Sequence, residues 1–600
     1  MTSIDDLFKG TSAAAKRKFE HPSDLDPTQA YKSAKLNANS DVKRSPRASV
    51  ADEEDEDEAG PSLPPDFVAE EGDDEEGRFF GGGLDENALD AIDYLDAHDA
   101  DGAITEEKID SVWLRRTALN FEKKINKNAE LRAKYEDDPG KFMASEGDLD
   151  ESIKSLSILS EHPELYEEFV KSESAARLVE LLAHDNTDIA IDAIEIISEL
   201  TDDDVQAEQG QWDVLVAAML ESDLLSLLIS NFSRFDESNE ADRSGVYHSL
   251  SVLENLLSQP DNVDMIGKNE KLLNWLLERI QRDEKPTSQN KLYASEILSI
   301  LTHSSNPNRR RIVAANGTEI LLTQLAPYRK SDPEKESEEE ECMENMFNCL
   351  TSIVEESEGK AKFLEAEGIE LCLLMIRDGK TSKSRALKVL DHACGYAEPL
   401  INEDTQTNGA DSVNQAAAVC DKVVEARGLK PLFSTFMKTK KPDPETTEHI
   451  LGIFASLLRS LPGNSDSRFR VLAKFLEKDF EKINKLVALR RDYASRLAAF
   501  DAKLDDRKKG LSKEEIEQLE MENIATRLSE GLYCLERIDA TLAWLVAEDD
   551  GAKHAIVKAL AERDEGLEDV KRTLQAQLDG VLAVEPSERE MLETLVEFLR

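Results

Sequence analysis

Cysteine is scarce in this chain. Six occur in 600 residues, at Cys342, Cys349, Cys372, Cys394, Cys420 and Cys534, and none forms a C-x-x-C pair. They stand mostly in apolar helical surroundings, where free cysteine behaves as a small hydrophobe. Their scatter suggests a reducing, intracellular compartment. Aromatic residues are also few, at 6%; Leu, Ile and Ala dominate instead, which favours helix packing over a β-sandwich or barrel. No run approaches the roughly 18 apolar residues of a membrane span, and the opening MTSIDDLFKG has no apolar signal core. The chain therefore reads as a non-membrane, soluble protein of the cytosol or nucleus. Positive charge is short as well: 73 Lys and Arg stand against 125 Asp and Glu, a net of −52. Such a surface repels nucleic-acid phosphate, so no direct DNA binding is expected, and it attracts basic protein segments.

The motifs of catalysis and metal binding are missing too. The nine histidines form no H-E-x-x-H pair, Gly81-Gly82-Gly83 lacks the Lys-Ser/Thr of a P-loop, and no G-x-S-x-G elbow occurs. DAHDADGAITEEK (Asp96–Lys108) contains the D-x-D-G-x-I heart of a calcium loop. With Gly102 at position six, however, Ala97 falls at position one and Lys108 at position twelve. The first ligand and the bidentate glutamate are both absent, and the stretch reads as an acidic turn before a helix. The expectation is a non-enzymatic protein with no catalytic residue, no metal and no cofactor.

Composition divides the chain. Residues 1–50 carry nine bases against six acids, and residues 51–110 carry 24 acids against two bases. Residues 1–85 are expected to be a disordered charged tail. Within it, Lys16-Arg17-Lys18 and Lys43-Arg44-Ser45-Pro46-Arg47 are short basic clusters. Lys16, Arg17, Lys18, Lys43, Arg44 and Arg47 are thus candidates for a nuclear import signal, and Ser45 before Pro46 for phosphorylation. From about Asn87 the pattern is helical to the end. Residues 86–170 read as an N-terminal helical cap, 171–460 as repeats and 461–600 as a C-terminal helical region.

The repeats show in AANGTEILLTQL (Ala314–Leu325), EAEGIELCLLMI (Glu365–Ile376) and EARGLKPLFSTF (Glu425–Phe436). Each places a glycine ahead of a Leu-rich amphipathic helix. Gly317, Gly368 and Gly428 are expected to end the preceding helix at positive φ; Gly267 stands 50 residues before Gly317. Pairs of apolar helices are expected at 175–183 with 188–200, 223–233 with 243–257, 270–281 with 290–302, 317–326 with 340–354, 368–377 with 383–393 and 428–438 with 445–459. A period of about 45–60 residues with two or three helices per unit suits armadillo or HEAT repeats. The fold class is therefore all-α: an armadillo/HEAT-like right-handed superhelical solenoid with helical N- and C-terminal caps and a disordered acidic N-terminal tail. Leu472–Phe500 has heptad-like, coiled-coil spacing. Paired with Glu515–Trp544 it is expected to cap the array, and it allows self-association as a homodimer.

HDNTD (His184–Asp188) raises the question of a metal knot. Asn and Asp suit turns, and Thr187 or Asp188 can cap a following helix. In that helix Ile189, Ala193, Ile196, Ile197 and Leu200 share one face, and Asp188, Asp192, Glu195 and Glu199 line the other. HDNTD thus reads as a connection.

Longer strings carry a resemblance. NFEKKINKNAELRAKYEDDPGKFMASEGDLDESI from Asn120, LLAHDNTD (Leu181–Asp188), NKLYASEIL (Asn290–Leu298), SRALKVLDHA (Ser384–Ala393) and IFASLLR (Ile453–Arg459) occur in this order. Over roughly residues 110–460 the chain resembles the beta-catenin-like family of spliceosome-associated armadillo proteins. The resemblance implies a nuclear scaffold of mRNA processing. It also implies partners among spliceosomal proteins with basic segments, above all a Myb-like splicing factor of the nineteen-type complex. A nuclear transport adaptor or a general interaction scaffold is the alternative. The chain departs from the family in its tail, in an acidic insert at Glu336–Glu341 and in an insert at Glu398–Ala416, both read as loop changes.

In importin-like armadillo proteins, third helices carry Trp and, four residues on, Asn. Those places fall here on Glu195 and Glu199, Ser251 and Asn255, and Glu296 and Ile300. The Trp–Asn ladder is absent, so a basic ligand would be held by carboxylates. The candidate partner-binding groove is Asp188, Asp192, Glu195, Glu199, Asn255 and Glu296. Lys438, Lys440 and Lys441 make a small basic patch, read as helix C-terminal charge.

Overall fold

The computed structural model describes residues 108–397, 415–438, 443–509, 512–580 and 584–599. The tail, both import-signal clusters, most of the calcium-like loop, nearly all of the Glu398–Ala416 insert, and Lys440 and Lys441 lie outside them. Ala118–Arg600 belong to one compact unit, and Ala15–Thr117 to another. Of the latter, Lys108–Thr117 are described. There Asp110 Oδ1 accepts from the amides of Val112 (2.9 Å) and Trp113 (3.2 Å) and so starts a helix.

Among the described residues every regular element is helical. In order they are α1 Ser111–Lys134, α2 Met143–Lys154, α3 Tyr166–Lys171, α4 Ser174–Glu180, α5 Thr187–Thr201, α6 Gln209–Glu221, α7 Leu224–Asn231, α8 Glu240–Leu257, α9 Pro260–Gly267 and α10 Glu270–Ile280. There follow α11 Gln289–His303, α12 Asn306–Ala314, α13 Gly317–Leu325, α14 Glu338–Ile353, α15 Ser357–Glu365, α16 Gly368–Asp378, α17 Thr381–Cys394, α18 Gln415–Glu425, α19 Leu429–Lys438 and α20 Pro444–Ser460. The last are α21 Asp466–Lys508, α22 Lys513–Ser529, α23 Leu532–Glu548, α24 Asp550–Ala561, α25 Leu567–Asp579 and α26 Pro586–Phe598.

From α3 to α20 the helices fall into six triplets. Third helices pack on one another in the succession α5, α8, α11, α14, α17, α20, and α23 continues that succession. First helices stack likewise through α9, α12, α15 and α18. This is an armadillo-type solenoid. A third helix is flanked on both sides and is buried nearly all round. In α5, Ile189, Ile191, Ile194, Ile196, Ile197 and Leu200 are all buried, each contributing roughly 1.5–3 kcal/mol of transfer free energy. What stays polar is a narrow stripe, and those stripes line the inner face.

Asparagines stitch neighbouring triplets. Asn231 Nδ2 donates to Leu182 O (3.0 Å), Asn255 Nδ2 to Ser198 O (3.0 Å), Asn290 Nδ2 to Arg243 O (3.0 Å) and Asn308 Nδ2 to Val263 O (2.9 Å). The bonds from Asn231, Asn255 and Asn308 are buried, and a buried amide left without its partner would cost about 1–3 kcal/mol. Lys360, 0% exposed, makes a similar stitch to the C-terminus of α17. Its Nζ donates to the carbonyls of His392 (2.8 Å) and Ala393 (2.9 Å), and burial pushes its pKa down to about 8. All six cysteines are free and buried.

The repeat glycines work differently from the sequence reading. Positive φ falls on the residue before each: Asn316 (64°), Glu367 (55°) and Arg427 (64°). The glycine follows, where the chain passes tightly over the preceding helix. A Cβ on Gly317 would lie 2.4 Å from Ile312 Cγ2, and one on Gly368 would lie 2.3 Å from Phe363 Cδ2. Gly368→Ala is therefore expected to cost about 1–3 kcal/mol by overpacking. Gly147→Ala in α2, with nothing within 4 Å, should instead stabilise by up to about 1 kcal/mol. Calorimetric melting of the two variants checks both signs.

Two further expectations change. Helix α5 is capped by Asn186, whose side chain accepts from Asp188 N, rather than by Thr187 or Asp188. The stretch Glu515–Trp544 is two helices, parted at Gly531 with φ 100°. The long α21 is itself broken at Glu477–Phe480, so the heptad-like run does not continue through it as one rod.

Candidate basic-segment groove

HDNTD is a joint. His184 Nδ1 accepts from Asn186 N (3.1 Å), its Nε2 lies 3.1 Å from Asn128 Oδ1, and burial pushes its pKa down. Asn186 Nδ2 reaches Glu146 (3.3 Å) and Arg132 reaches Asp185 (3.1 Å). The turn therefore pins α5 onto α1 and α2.

The six proposed groove residues do not form one site. Asp188 is exposed in the first turn of α5, where the helix dipole favours a carboxylate. Asp192 is already engaged. It shares a hydrogen bond with Asp150, and both approach Lys154 Nζ, at 3.5 Å and 2.5 Å. Burial, then Asp150, pushes Asp192 up to about 8, while the hydrogen bond from Asp192 holds Asp150 below its ordinary range. With Asp192 holding its proton at neutral pH and Asp150 ionised beside the Lys154 ammonium, the trio carries little net charge. Glu195 sits 3.9 Å from His248 Nε2. Glu199 stands beside Ser157; desolvation and Glu195 raise it. Asn255 is not a free ladder residue, because its Nδ2 is held by Ser198 O and by Thr201 Oγ1 (3.1 Å). Among the six, Glu296 stands in the wall of a cavity.

The pH consequence of Asp192 has a definite sign. A carboxyl raised on folding adds stability that is complete below the unfolded value near 4 and lost as pH rises through about 8. Asp192→Asn should melt higher relative to the parent at pH 8.5 than it does at pH 5. Calorimetry at the two pH values checks the difference.

The cavity, about 740 Å³, lies between α8, α11 and α14. Glu254, Glu296, Glu336, Glu340, Glu341 and Glu344 line it, with Ser299, Ser337, Asn345 and Asn348, and no lysine or arginine is among its lining residues. Half of these carboxylates come from Glu336–Glu341, so that insert is not a neutral loop change. It supplies the first turn of α14. Ser337 caps the helix by accepting from Glu340 N (3.2 Å), and Glu336 N donates to Glu340 Oε2 (2.7 Å). A helix N-terminus tolerates clustered acids, and from there i, i+4 spacing carries the stripe inward through Glu340, Glu344 and Asn348. Glu254 accepts from Tyr293 Oη on α11.

The groove changes character at α17. Arg385 Nη2 donates to Glu344 of α14 (2.6 Å) and its Nη1 to Glu445 of α20 (3.0 Å). Further along, a second cavity of about 560 Å³ lies toward α23 and α26. Arginines in its wall are paired, among them Arg310 with Glu356 (2.9 Å) and Arg537 with Glu588 (3.1 Å), and His392 Nδ1 lies 2.8 Å from Glu355.

Stacked triplets with an acidic inner face define an armadillo-repeat protein, a class that offers an extended binding surface. The profile of one family, described as catenin-beta-like, Arm-motif containing, nuclear, matches residues 89–575, and the chain belongs to that family. It is 39% identical over 480 residues to Beta-catenin-like protein 1 homolog of Schizosaccharomyces pombe, covering 80% of each chain. It is 36% identical over 442 residues to Beta-catenin-like protein 1 of Homo sapiens, covering 72% of this chain and 75% of that one. A chain from a solved structure concerned with the interaction between cadherin and beta-catenin is 13% identical at a TM-score of 0.41, over 76% of this chain and 77% of that chain. No described helix is long and apolar enough to cross a membrane.

Proposed function

We propose that the chain is a nuclear, non-catalytic scaffold of pre-mRNA splicing. Its groove between α8, α11 and α14 holds lysine- and arginine-rich segments of spliceosomal proteins, including the Myb-like factor of the nineteen-type complex. The observation that carries the reading is the cavity of six glutamates with no cation in its lining. Glu344 already holds Arg385 at one end; a bound basic segment relieves the repulsion among the clustered carboxylates and adds attraction of its own. The splicing context rests on the family resemblance, and the family's nuclear description agrees with it.

Titration calorimetry of the full chain with a basic segment of such a factor tests the reading. Binding is expected at low salt, weakened about tenfold between 50 and 300 mM salt as screening shortens the reach of the carboxylates. An acidic peptide of equal length should not bind. Equal binding of the two peptides, or binding indifferent to salt, would sink the proposal.

A further inference from the structure

We infer that Arg385 is a built-in competitor that ends the basic segment's footprint, so that the groove takes cations up to α14 and stops at α17. The inference rests on the groove reading above and adds a boundary to it. The Arg385 guanidinium bridges Glu344 on one side and Glu445 on the other, the place a ligand arginine passing along the inner face would take. The bridge is open to water rather than sealed in the core: the Arg385 side chain is 27% exposed, Glu344 37% and Glu445 41%.

The surrounding charges agree. Along α17, Arg385, Lys388 and His392 recur at helical spacing, and His392 is bound to Glu355. The neighbouring inner stripes are acidic, with Glu296 on α11, Glu340 and Glu344 on α14, and Glu445 and Glu448 on α20. Glu448 is pushed up by burial, with Asp391 and Glu445 adding to it. Beyond Arg385 the acidic field thus resumes. Without Arg385, the Glu344–Glu445 site would be free for one more cation of the ligand.

Alternating lysine–arginine peptides of two, four, six, eight and ten residues, titrated into the full chain, test this. In the parent, affinity should rise with length and then level off. In Arg385→Ala it should go on rising past that length, gaining about threefold to tenfold, and Arg385→Lys should keep the parent's plateau. Adding Glu445→Gln should remove the gain in the Arg385→Ala background and change little in the parent, a coupling that a merely structural arginine would not produce. Arg385→Gln, closer in shape, gives the same reading should the alanine variant lose helicity. Levelling at the parent's length, or weaker binding at every length, overturns the inference and leaves the groove standing. A parent that binds none of the peptides overturns both.

Discussion

Replacing Glu296 and Glu341 together by lysine should weaken binding of a lysine- and arginine-rich peptide by about 100-fold or more, with the fold intact. The two residues face one cavity from α11 and α14. The double change moves its charge by four units, and reversal replaces attraction with repulsion of the same ligand. Close charge pairs across an interface are worth about 1.5 kcal/mol or more each, so two reversals account for two orders of magnitude. Reversal of Glu195 and Glu199 should cost much less, under about tenfold, since neither residue lines the cavity between α8, α11 and α14. Calorimetry of both double variants, with circular dichroism to establish equal helicity, decides between the two ends of the groove. Equal losses would place the ligand along α5 instead.

The second large effect concerns stability. Arg279, at the end of α10, is 2% exposed. Its Nε and Nη2 donate to Glu237 Oε2 (3.1 and 2.9 Å), Nη2 also donates to Ser288 Oγ (2.9 Å), and Nη1 pairs with Glu284 (3.0 Å). Glu237 in turn takes Asn290 Nδ2 (3.0 Å), so one guanidinium holds the loop before α8, the end of α10 and the start of α11 together. Arg279→Ala removes the centre of this cluster and leaves Glu237 largely buried and short of its main partner. Breaking a buried pair in this way costs about 3–5 kcal/mol. In a stacked array each unit depends mainly on its neighbours, so the loss should be local. Hydrogen exchange should quicken across α8, α10 and α11 while α18–α20 keep their protection. Unchanged exchange across α8–α11 would show that packing alone holds this joint.

Much of the solenoid was legible because second and third helices repeat apolar residues at helical spacing. All six expected pairs correspond to observed helices, from α4 with α5 to α19 with α20. The first helices were not legible. PDNVDMIG, NPNRRRIVA and SEGKAKFLE bury little more than Val263 and Ile266, Ile312 and Val313, and Phe363 on their apolar side, too few for a periodic signal. The groove was half visible. Its acidity and Glu296 followed from composition and helix phase, but a fixed four-residue ladder selected Asn255 where the neighbouring Glu254 faces the cavity. The acidic run Glu336–Glu341 looked like a loop because helix formers in an insert have no apolar stripe of their own. Its i, i+4 continuation through Glu344 to Asn348 was the signal that marks it as part of the inner face.

The buried cysteines have a use beyond packing. Cys342 and Cys349 lie in α14, Cys372 in α16, Cys394 in α17, Cys420 in α18 and Cys534 in α23, and burial pushes Cys349 and Cys372 up to about 12. A thiol of this kind meets an alkylating reagent chiefly when its own triplet opens. The chain therefore carries its own set of clocks, placed through three consecutive units and the helices after them. Each ticks at the rate at which its stretch of the solenoid comes apart, and a bound ligand that braces the array should slow first those nearest to it.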